Sequence, residues 1–109
     1  MATTLKVLGQ VSPLAATLTT LYTVPGATSA VCTTLFVCNR SAVATSFRVA
    51  VRPGGAAISN EHYRYYDVAI AGNDTFAATV GITLAATDVV SVYATLATLS
   101  FNLDGQEIT

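Results

Sequence analysis

The sequence predicts an all-β protein, a single antiparallel β-sandwich of about eight short strands with a jelly-roll or immunoglobulin-like arrangement. Apolar and polar residues alternate with a period of two along the chain, without a convincing helical period of about 3.6 residues. Clusters of Gly, Pro, Asn and Asp interrupt this alternation roughly every 8–12 residues, as turns between strands do. Few uninterrupted stretches are long enough for the crossover helix that parallel strands need.

Turn-forming residues separate the predicted strands. Ser12-Pro13 ends the first strand, and Pro25-Gly26, a pair suited to a type II turn, ends the second. Pro53-Gly54-Gly55 ends the fourth, the cluster 71–74 follows the fifth, and Gly81 breaks the pattern of the sixth. The strands comprise residues 5–8, 18–24, 30–39, 45–52, 63–70, 75–80, 88–95 and 98–103.

The third strand is apolar on both faces, which predicts that it is central and covered on both sides. One face holds Val31, Thr33, Leu35 and Val37, and the other holds Cys32, Thr34, Phe36 and Cys38. Cys32 and Cys38 would therefore share a face at a distance of about 20 Å. Because a disulfide needs Cα atoms within about 7 Å, we expect two reduced, buried thiols, with an intermolecular bridge as the alternative.

The later strands alternate clearly enough to assign their faces. In the fourth, the inward residues are Phe47, Val49 and Val51, and the outward residues are Arg48, Ala50 and Arg52. In the fifth, one face holds Tyr66, Val68 and Ile70, and the other holds Tyr63, Tyr65 and Asp67. The last three strands align Phe76, Ala78 and Val80, then Val90, Val92 and Ala94, then Leu99, Phe101 and Leu103, before Asp104-Gly105.

The surface of this protein is poor in charge. The 109 residues (11.3 kDa) suit one domain spanning 1–109, with an accessible area of roughly 5,700 Å² when folded. Only 10% of the residues are charged, whereas about 25% is usual, and 17 Thr and 18 Ala take much of their place. This composition favours a surface that other subunits cover, although Thr-rich sheets that are simply tolerated in solution are the alternative.

Several classes of protein are not expected. The 52% apolar content argues against disorder, yet no apolar run approaches the roughly 20 residues of a membrane span. The net charge of −1, with five scattered basic residues, predicts neither a nucleic-acid partner nor a membrane partner. The first ten residues lack the apolar core of a secretory signal. The tripeptides Asn39-Arg40-Ser41 and Asn73-Asp74-Thr75 are therefore interpreted as turns.

The sequence offers no convincing catalytic or metal-binding group, so we predict that the protein is not an enzyme. It contains one His and six carboxylates on distant segments, and no nucleophile or phosphate-binding motif. His62 is expected in a solvated loop or an interface. A lone His and two Cys on one strand do not form a zinc site. No metal, cofactor or small-molecule ligand is expected.

Residues typical of protein interfaces concentrate around the fifth strand. Tyr and Arg are enriched at interface hot spots because they bury a large area and keep a polar end. We predict that subunit contacts involve Arg48, Arg52, Tyr63, Tyr65 and Tyr66. The alternative is that they form cross-strand pairs on a solvated face, where Arg48 and Arg52 could meet Asp67 or Glu61. Sugar binding by stacked tyrosines is a third possibility.

Several segments together resemble a known class of protein. They are 21–25, 37–40, 47–55, 65–67, 73–75, 82–92 and the closing Phe101-x-Leu103-x-Gly105-x-Glu107. This succession resembles the small β-sandwich virion proteins of tailed bacteriophages over nearly the whole chain. It rests on strands and turns and includes no catalytic motif.

The resemblance implies a non-enzymatic structural subunit of a tail, baseplate or fibre, assembled in the bacterial cytoplasm and located in the virion. Its expected partners are copies of itself, as a trimer or higher oligomer, and other virion proteins. Closed rotational symmetry would bury apolar patches between subunits. A capsid cement protein that stabilises the major capsid lattice is the first alternative, and a module that binds a host-surface glycan or protein is the second.

Overall fold

Eight strands form two antiparallel sheets in the computed structural model, which describes residues 2–109. Two short 3₁₀ turns, Pro53–Gly55 and Asn60–His62, lie between β4 and β5. The strands are β1 (Thr3–Val11), β2 (Thr19–Thr23), β3 (Ser29–Asn39), β4 (Thr45–Arg52), β5 (Tyr63–Ile70), β6 (Thr75–Leu84), β7 (Val89–Ala94) and β8 (Leu99–Ile108). The predicted all-β sandwich of eight strands is confirmed.

The order of the strands identifies the sandwich as a jelly roll. One sheet has the order β1-β8-β3-β6 and the other has the order β2-β7-β4-β5. The pairs β1–β8, β2–β7, β3–β6 and β4–β5 are those of one long hairpin that folds over on itself. This is the jelly-roll arrangement of eight strands, and the immunoglobulin-like alternative is wrong.

The core lies between the sheets, where the inward faces predicted for β4, β7 and β8 are found. Phe47 and Phe101 are fully buried, and their ring centroids are 6.0 Å apart in an edge-on arrangement. The ring centroid of Phe76, which lies on the same sheet as Phe101, is 5.1 Å from that of Phe47. Burial of each such side chain contributes about 1.5–3 kcal/mol, so this aromatic contact between the two sheets is a major part of the core.

A β-bulge in β3 reverses the side-chain alternation that the sequence predicts. The pairing with both neighbouring strands shifts between Cys32 and Thr34. Relative to β8, Thr33 is an extra residue of β3, whereas relative to β6 the extra residue lies on β6, at Val80-Gly81. One extra residue exchanges the two faces of a strand, which places Cys32 inside and Cys38 on the outer face. The two thiols are free, as expected, but the prediction that they share a face is wrong. Burial raises the pKa of Cys32 to about 11.

The bulge also changes what the outer face of β3 presents. Leu35 and Val37 point inward, whereas Val31 and Thr33, predicted to share their face, do not. The central position of β3, between β8 and β6, is confirmed. Its second face is not covered by this chain, however, since Phe36 is 38% exposed.

Glycines that suggested strand ends instead lie within strands. β6 continues through Gly81, whose φ of +58° accommodates an irregularity in the pairing with β3, as far as Leu84. β8 continues through Gly105, where a Cβ would overlap the carbonyl oxygen of Val31 on the neighbouring strand. In the turn after β2, the positive φ belongs to Ala27 and not to Gly26, so the predicted type II turn is wrong.

The two long sides of the sandwich differ. On one side, β1 meets β2 so closely that a Cβ on Gly9 would overlap the carbonyl oxygen of Leu21. On the other side, β5 and β6 leave four apolar side chains only half-buried against the core. These are Tyr65, Val68, Phe76 and Val80. The sandwich therefore has a closed side along β1 and β2 and an open side along β5 and β6.

Asn39 connects two loops at one end of the sandwich. Its side chain is buried, and its Nδ2 donates to the carbonyl oxygens of Val43 (2.8 Å) and Ala71 (3.1 Å). Its Oδ1 accepts from the backbone N–H of Ser41 at 3.1 Å. The turn interpretation of this tripeptide is confirmed, and the same holds at Asn73, which has a φ of +54° in the turn before β6.

Replacement of this amide tests its contribution to stability. Asn39→Ala removes three hydrogen bonds and leaves the carbonyl groups of Val43 and Ala71 without this donor. We expect the free energy of unfolding to fall by about 3 kcal/mol in urea titrations. The exposed Asn60→Ala is the control and should change it by less than about 0.5 kcal/mol. Equal effects of the two substitutions would contradict this role of Asn39.

Candidate functional site

Arg48 is the centre of a cluster on the outer face of the β2-β7-β4-β5 sheet. Its Nε donates to Oδ1 of Asp67 at 2.6 Å, and its Nη2 lies 3.4 Å from Oδ2. The guanidinium carbon lies 4.2 Å from the ring centroid of Tyr66 and 4.4 Å from that of Tyr93. Tyr63 packs edge-on against Tyr66, with centroids 4.9 Å apart. We call these five residues the Arg48 cluster.

The cluster depends on an irregularity in β5. Val68 is opposite Phe47 and Tyr65 is opposite Val49, so Tyr66 and Asp67 lie between two paired positions. Asp67 takes a φ of +51°, and both residues are exposed. The predicted face containing Tyr66, Val68 and Ile70 is therefore wrong, because the bulge turns Tyr66 outward while Val68 remains inward.

Tyr65 does not belong to the outer surface. Its ring packs 5.6 Å from Phe76 and 6.4 Å from Phe47, on the inner side of β5. The prediction that Tyr65 points outward with Tyr63 is wrong, because the irregular pairing of β5 with β4 interrupts the alternation of its side chains. Tyr65 instead lies at the open side of the sandwich, where it remains half-exposed.

The Arg48 cluster provides a preformed aromatic surface. The hydrogen bond to Asp67 is the main cause that raises the pKa of Arg48, so this side chain keeps its charge. Arg48 occupies the space between Tyr66 and Tyr93, which places the protein's own cation where a ligand cation could otherwise stack. Ala50, predicted to face outward, is fully buried on this sheet. What remains accessible is mainly the ring of Tyr66, which is 57% exposed.

Arg52 does not belong to this cluster, because its guanidinium donates to β7 and to the turn after β4. Its Nε donates to Oγ of Ser91 at 3.1 Å, and its Nη1 donates to the carbonyl oxygen of Ala56 at 3.1 Å. It therefore holds the Pro53–Gly55 turn against β7. Of the partners suggested by the sequence, the pair Arg48–Asp67 is confirmed, whereas Arg52 does not meet Glu61 or Asp67.

His62 also has a structural position. It is only 9% exposed, and its Nδ1 accepts a hydrogen bond from the backbone N–H of Ser59 at 3.1 Å. This contact closes the Asn60–His62 turn before β5. The prediction of a solvated loop is therefore wrong for this side chain.

A polar contact that sequence reasoning missed joins the two sheets. The hydroxyl of Tyr22 on β2 donates to Oε2 of Glu107 on β8 at 2.5 Å, and Nζ of Lys6 lies 3.3 Å from Oε1. Burial and the bond to Glu107 raise the pKa of Tyr22. The bond from Tyr22, followed by Lys6, lowers the pKa of Glu107. Tyr22 and Glu107 are 85 residues apart on different sheets, so no local pattern indicates this contact.

Other potential sites are modest. A shallow depression of about 310 Å³ lies at the β1–β8 pair and is lined by Gln10, Val11, Ser12, Ser100, Phe101 and Asn102. Within residues 2–109, no three His, Cys, Asp or Glu side chains are grouped as metal ligands would be. The same residues contain no helix with the length and apolar character to cross a bilayer.

Apolar side chains are spread over the surface. The accessible area is 5369 Å², and nine large hydrophobic residues within 2–109 are exposed on it. They are Leu5, Val7, Leu14, Leu18, Phe36, Val43, Ile58, Tyr66 and Leu96. Leu5 and Leu14 are 78% and 73% exposed, so burial within this chain does not explain their apolar character.

Comparisons with family models, curated proteins and solved structures give no match to this chain.

The bond between the sheets gives a prediction about pH. Because the folded state lowers the pKa of Glu107 below its usual 4.5, its stabilising contribution is present above that value and disappears as the pH falls through the folded pKa. Tyr22→Phe removes the donor and should lower the free energy of unfolding by about 1.5 kcal/mol at neutral pH. In urea titrations, this difference from the wild type should shrink as the pH falls well below 4.5.

The control for this experiment is Tyr66→Phe, which changes a hydroxyl on an exposed ring. It should have the same small effect at both pH values. A Tyr22→Phe effect that is independent of pH would contradict the role assigned to the ionised Glu107.

The Arg48 cluster gives a prediction about side-chain geometry. Arg48→Lys keeps the charge but loses the planar group that lies between two rings and bonds to Asp67. We expect a loss of about 1 kcal/mol in the free energy of unfolding and a weaker tyrosine signal in near-ultraviolet circular dichroism. The control is Arg64→Lys, an exposed position on the neighbouring strand β5, which should leave the free energy of unfolding and the tyrosine signal unchanged. A normal tyrosine signal in Arg48→Lys would show that the rings do not depend on the guanidinium.

Proposed function

We propose that this protein is a non-enzymatic structural subunit of a tailed-bacteriophage virion, which assembles through the surface of its β-sandwich into an oligomeric part of the tail, baseplate or fibre. The observation that carries the proposal is that nine large hydrophobic side chains of the described part of the chain are exposed, while the whole sequence has only five basic and six acidic residues. Such a surface favours contact with other protein over dispersion in solution.

A virion explains this surface physically. Subunits in a particle are held at high local concentration, and neighbours cover apolar side chains that would promote aggregation of a dispersed protein. Closed rotational symmetry buries the same side chains on every copy, because no copy is left with an unpaired interface. A trimer or higher oligomer with other virion proteins as neighbours agrees with this requirement.

The fold supports the proposal by analogy. Jelly rolls occur in viral capsid proteins, although they also occur in lectins and other proteins. The resemblance to small phage virion proteins, noted in the sequence, points in the same direction. The sugar-binding alternative receives less support, because Arg48 occupies the space between Tyr66 and Tyr93 where a ring-stacking ligand would enter.

The predicted contact residues contribute in different ways. Arg48, Tyr63 and Tyr66 present a rigid outer surface whose ordering requires little further loss of side-chain entropy. Arg52 supports this sheet from the adjacent turn, and Tyr65 supports it from the inside. In this proposal, the first three residues touch a neighbouring subunit, whereas Arg52 and Tyr65 stabilise the sheet that carries them.

Fractionation of phage particles tests the proposal. Virions released from the bacterium that carries the gene would be purified, and tails would be separated from DNA-filled heads before mass spectrometry. We expect to find the protein in the tail fraction, at several copies per particle. Detection only in heads would overturn the tail assignment in favour of capsid decoration. Absence from purified particles would overturn the proposal itself.

A further inference from the structure

β6 forms one edge of the β1-β8-β3-β6 sheet. Within residues 2–109, β6 is the last strand of its sheet, so one side of its backbone has no neighbouring strand. An edge strand presents a row of N–H and C=O groups that can pair with another chain. Proteins that remain monomeric usually protect such edges with charges, Pro, bulges or a short strand.

The other three edges have such protection. β2 has only five residues and lies against β1, which carries Lys6 and an irregularity between Val7 and Gly9. β5 carries Arg64 and Asp67 and has two shifts in its pairing. β6 also has an irregularity, at Val80-Gly81, but it lacks the charged residues of β1 and β5 and is longer than β2.

β6 lacks charge and Pro throughout its ten residues, TFAATVGITL. Its pairing with β3 is regular from Thr75 to Thr79 and shifts only near Gly81. The outward side chains Thr75, Ala77 and Thr79 are small and exposed. A strand of this composition allows another strand to approach closely without electrostatic repulsion.

The open side of the sandwich adds an apolar surface to this edge. Phe76 and Val80 of β6, together with Tyr65 and Val68 of β5, pack against the core but remain partly accessible. A molecule that pairs with β6 would also cover these side chains. Backbone pairing and apolar burial would therefore occur in one contact.

We propose that β6 pairs antiparallel with β6 of a second copy of this protein, which joins two four-stranded sheets into one continuous eight-stranded sheet. A second copy is the favoured occupant because two uncharged β6 strands can pair without repulsion between like charges. A two-fold axis would also bring the open apolar sides of the two copies against each other. This inference deepens the proposed function and rests on it for the high local concentration of copies.

The available area is sufficient for such a pair. Ten residues of strand extend about 33 Å. With the 19 Å shortest dimension of the molecule, the contact covers roughly 600 Å² on each copy. The total of roughly 1,200 Å² lies at the lower limit of stable, specific interfaces. A two-fold pair of this kind also combines with a three-fold contact in a larger closed oligomer.

Two matched lysine variants test the position of the contact. Ala77→Lys with Thr79→Lys places two charges on the exposed side of β6, and Thr20→Lys with Thr23→Lys places two on the exposed side of β2. Sedimentation velocity on the purified full chain would measure association up to about 100 μM. We expect the wild type and the β2 variant to associate, and the β6 variant to have a dissociation constant at least tenfold higher.

Hydrogen exchange on the wild type makes the test independent of the folding of the variants. Backbone amides of β6 should become more protected as the protein concentration rises, whereas those of β2 should not change. A monomeric wild type at the highest concentration, or loss of association only in the β2 variant, would overturn the inference. Neither result bears on the proposed function, which the fractionation of phage particles decides separately. If the protein pairs through β6 but is absent from virions, the proposed virion function is overturned and the pairing through β6 stands.

Discussion

Each strand of this protein must keep its apolar face toward the opposite sheet along its whole length, and the rest of the structure depends on this constraint. Strands twist, and a perfectly regular pair does not follow the curvature of a rolled sandwich. At Thr33 and at Tyr66-Asp67, extra residues shift the register of β3 relative to β8 and of β5 relative to β4. Phe47 meets Phe76 and Phe101 in the core because each of these side chains points toward the opposite sheet.

The bulges also determine which residues reach solvent. In β5, the irregularity turns Tyr65 toward the core and brings Tyr66 and Asp67 outside, where Arg48 contacts both. The outer surface and the core are thus built by the same local change in the backbone. Four of the five basic side chains, those of Lys6, Arg40, Arg48 and Arg52, bind partners within the chain. Much of the small charge complement therefore stabilises the fold.

The sequence allows prediction of the fold class and of strands whose alternation is strict. In β4 and β7, the residues predicted to face inward are buried, since no irregularity interrupts the mutual pairing of these strands. Ala50, Val89 and Ser91, assigned to the other face, are buried as well. The faces of β3 and β5 could not be predicted, because a single extra residue is invisible to a count of alternating side chains. Gly81 and Gly105 suggest ends of strands, and only the three-dimensional structure shows a bend at one and a close approach at the other.

The candidate site is only partly predictable for a similar reason. Arg48 and Asp67 lie on adjacent predicted strands, so their pairing follows from the order of the hairpin. The contact of Tyr22 with Glu107 depends on how the rolled hairpin closes, which no local pattern indicates. The jelly-roll order is likewise a property of the whole chain, because it pairs the first strand with the last.

The reversed faces of β3 have a practical consequence for the two thiols. Cys32 is shielded in the interior, and its raised pKa keeps it in the poorly nucleophilic thiol form. Cys38 is half-buried on the outside of the same strand, paired with Thr75. A maleimide dye added to the native protein would therefore attach at one position, one strand away from the sheet border. The molecule thus carries its own site-selective handle for fluorescence or spin labelling without any engineered residue.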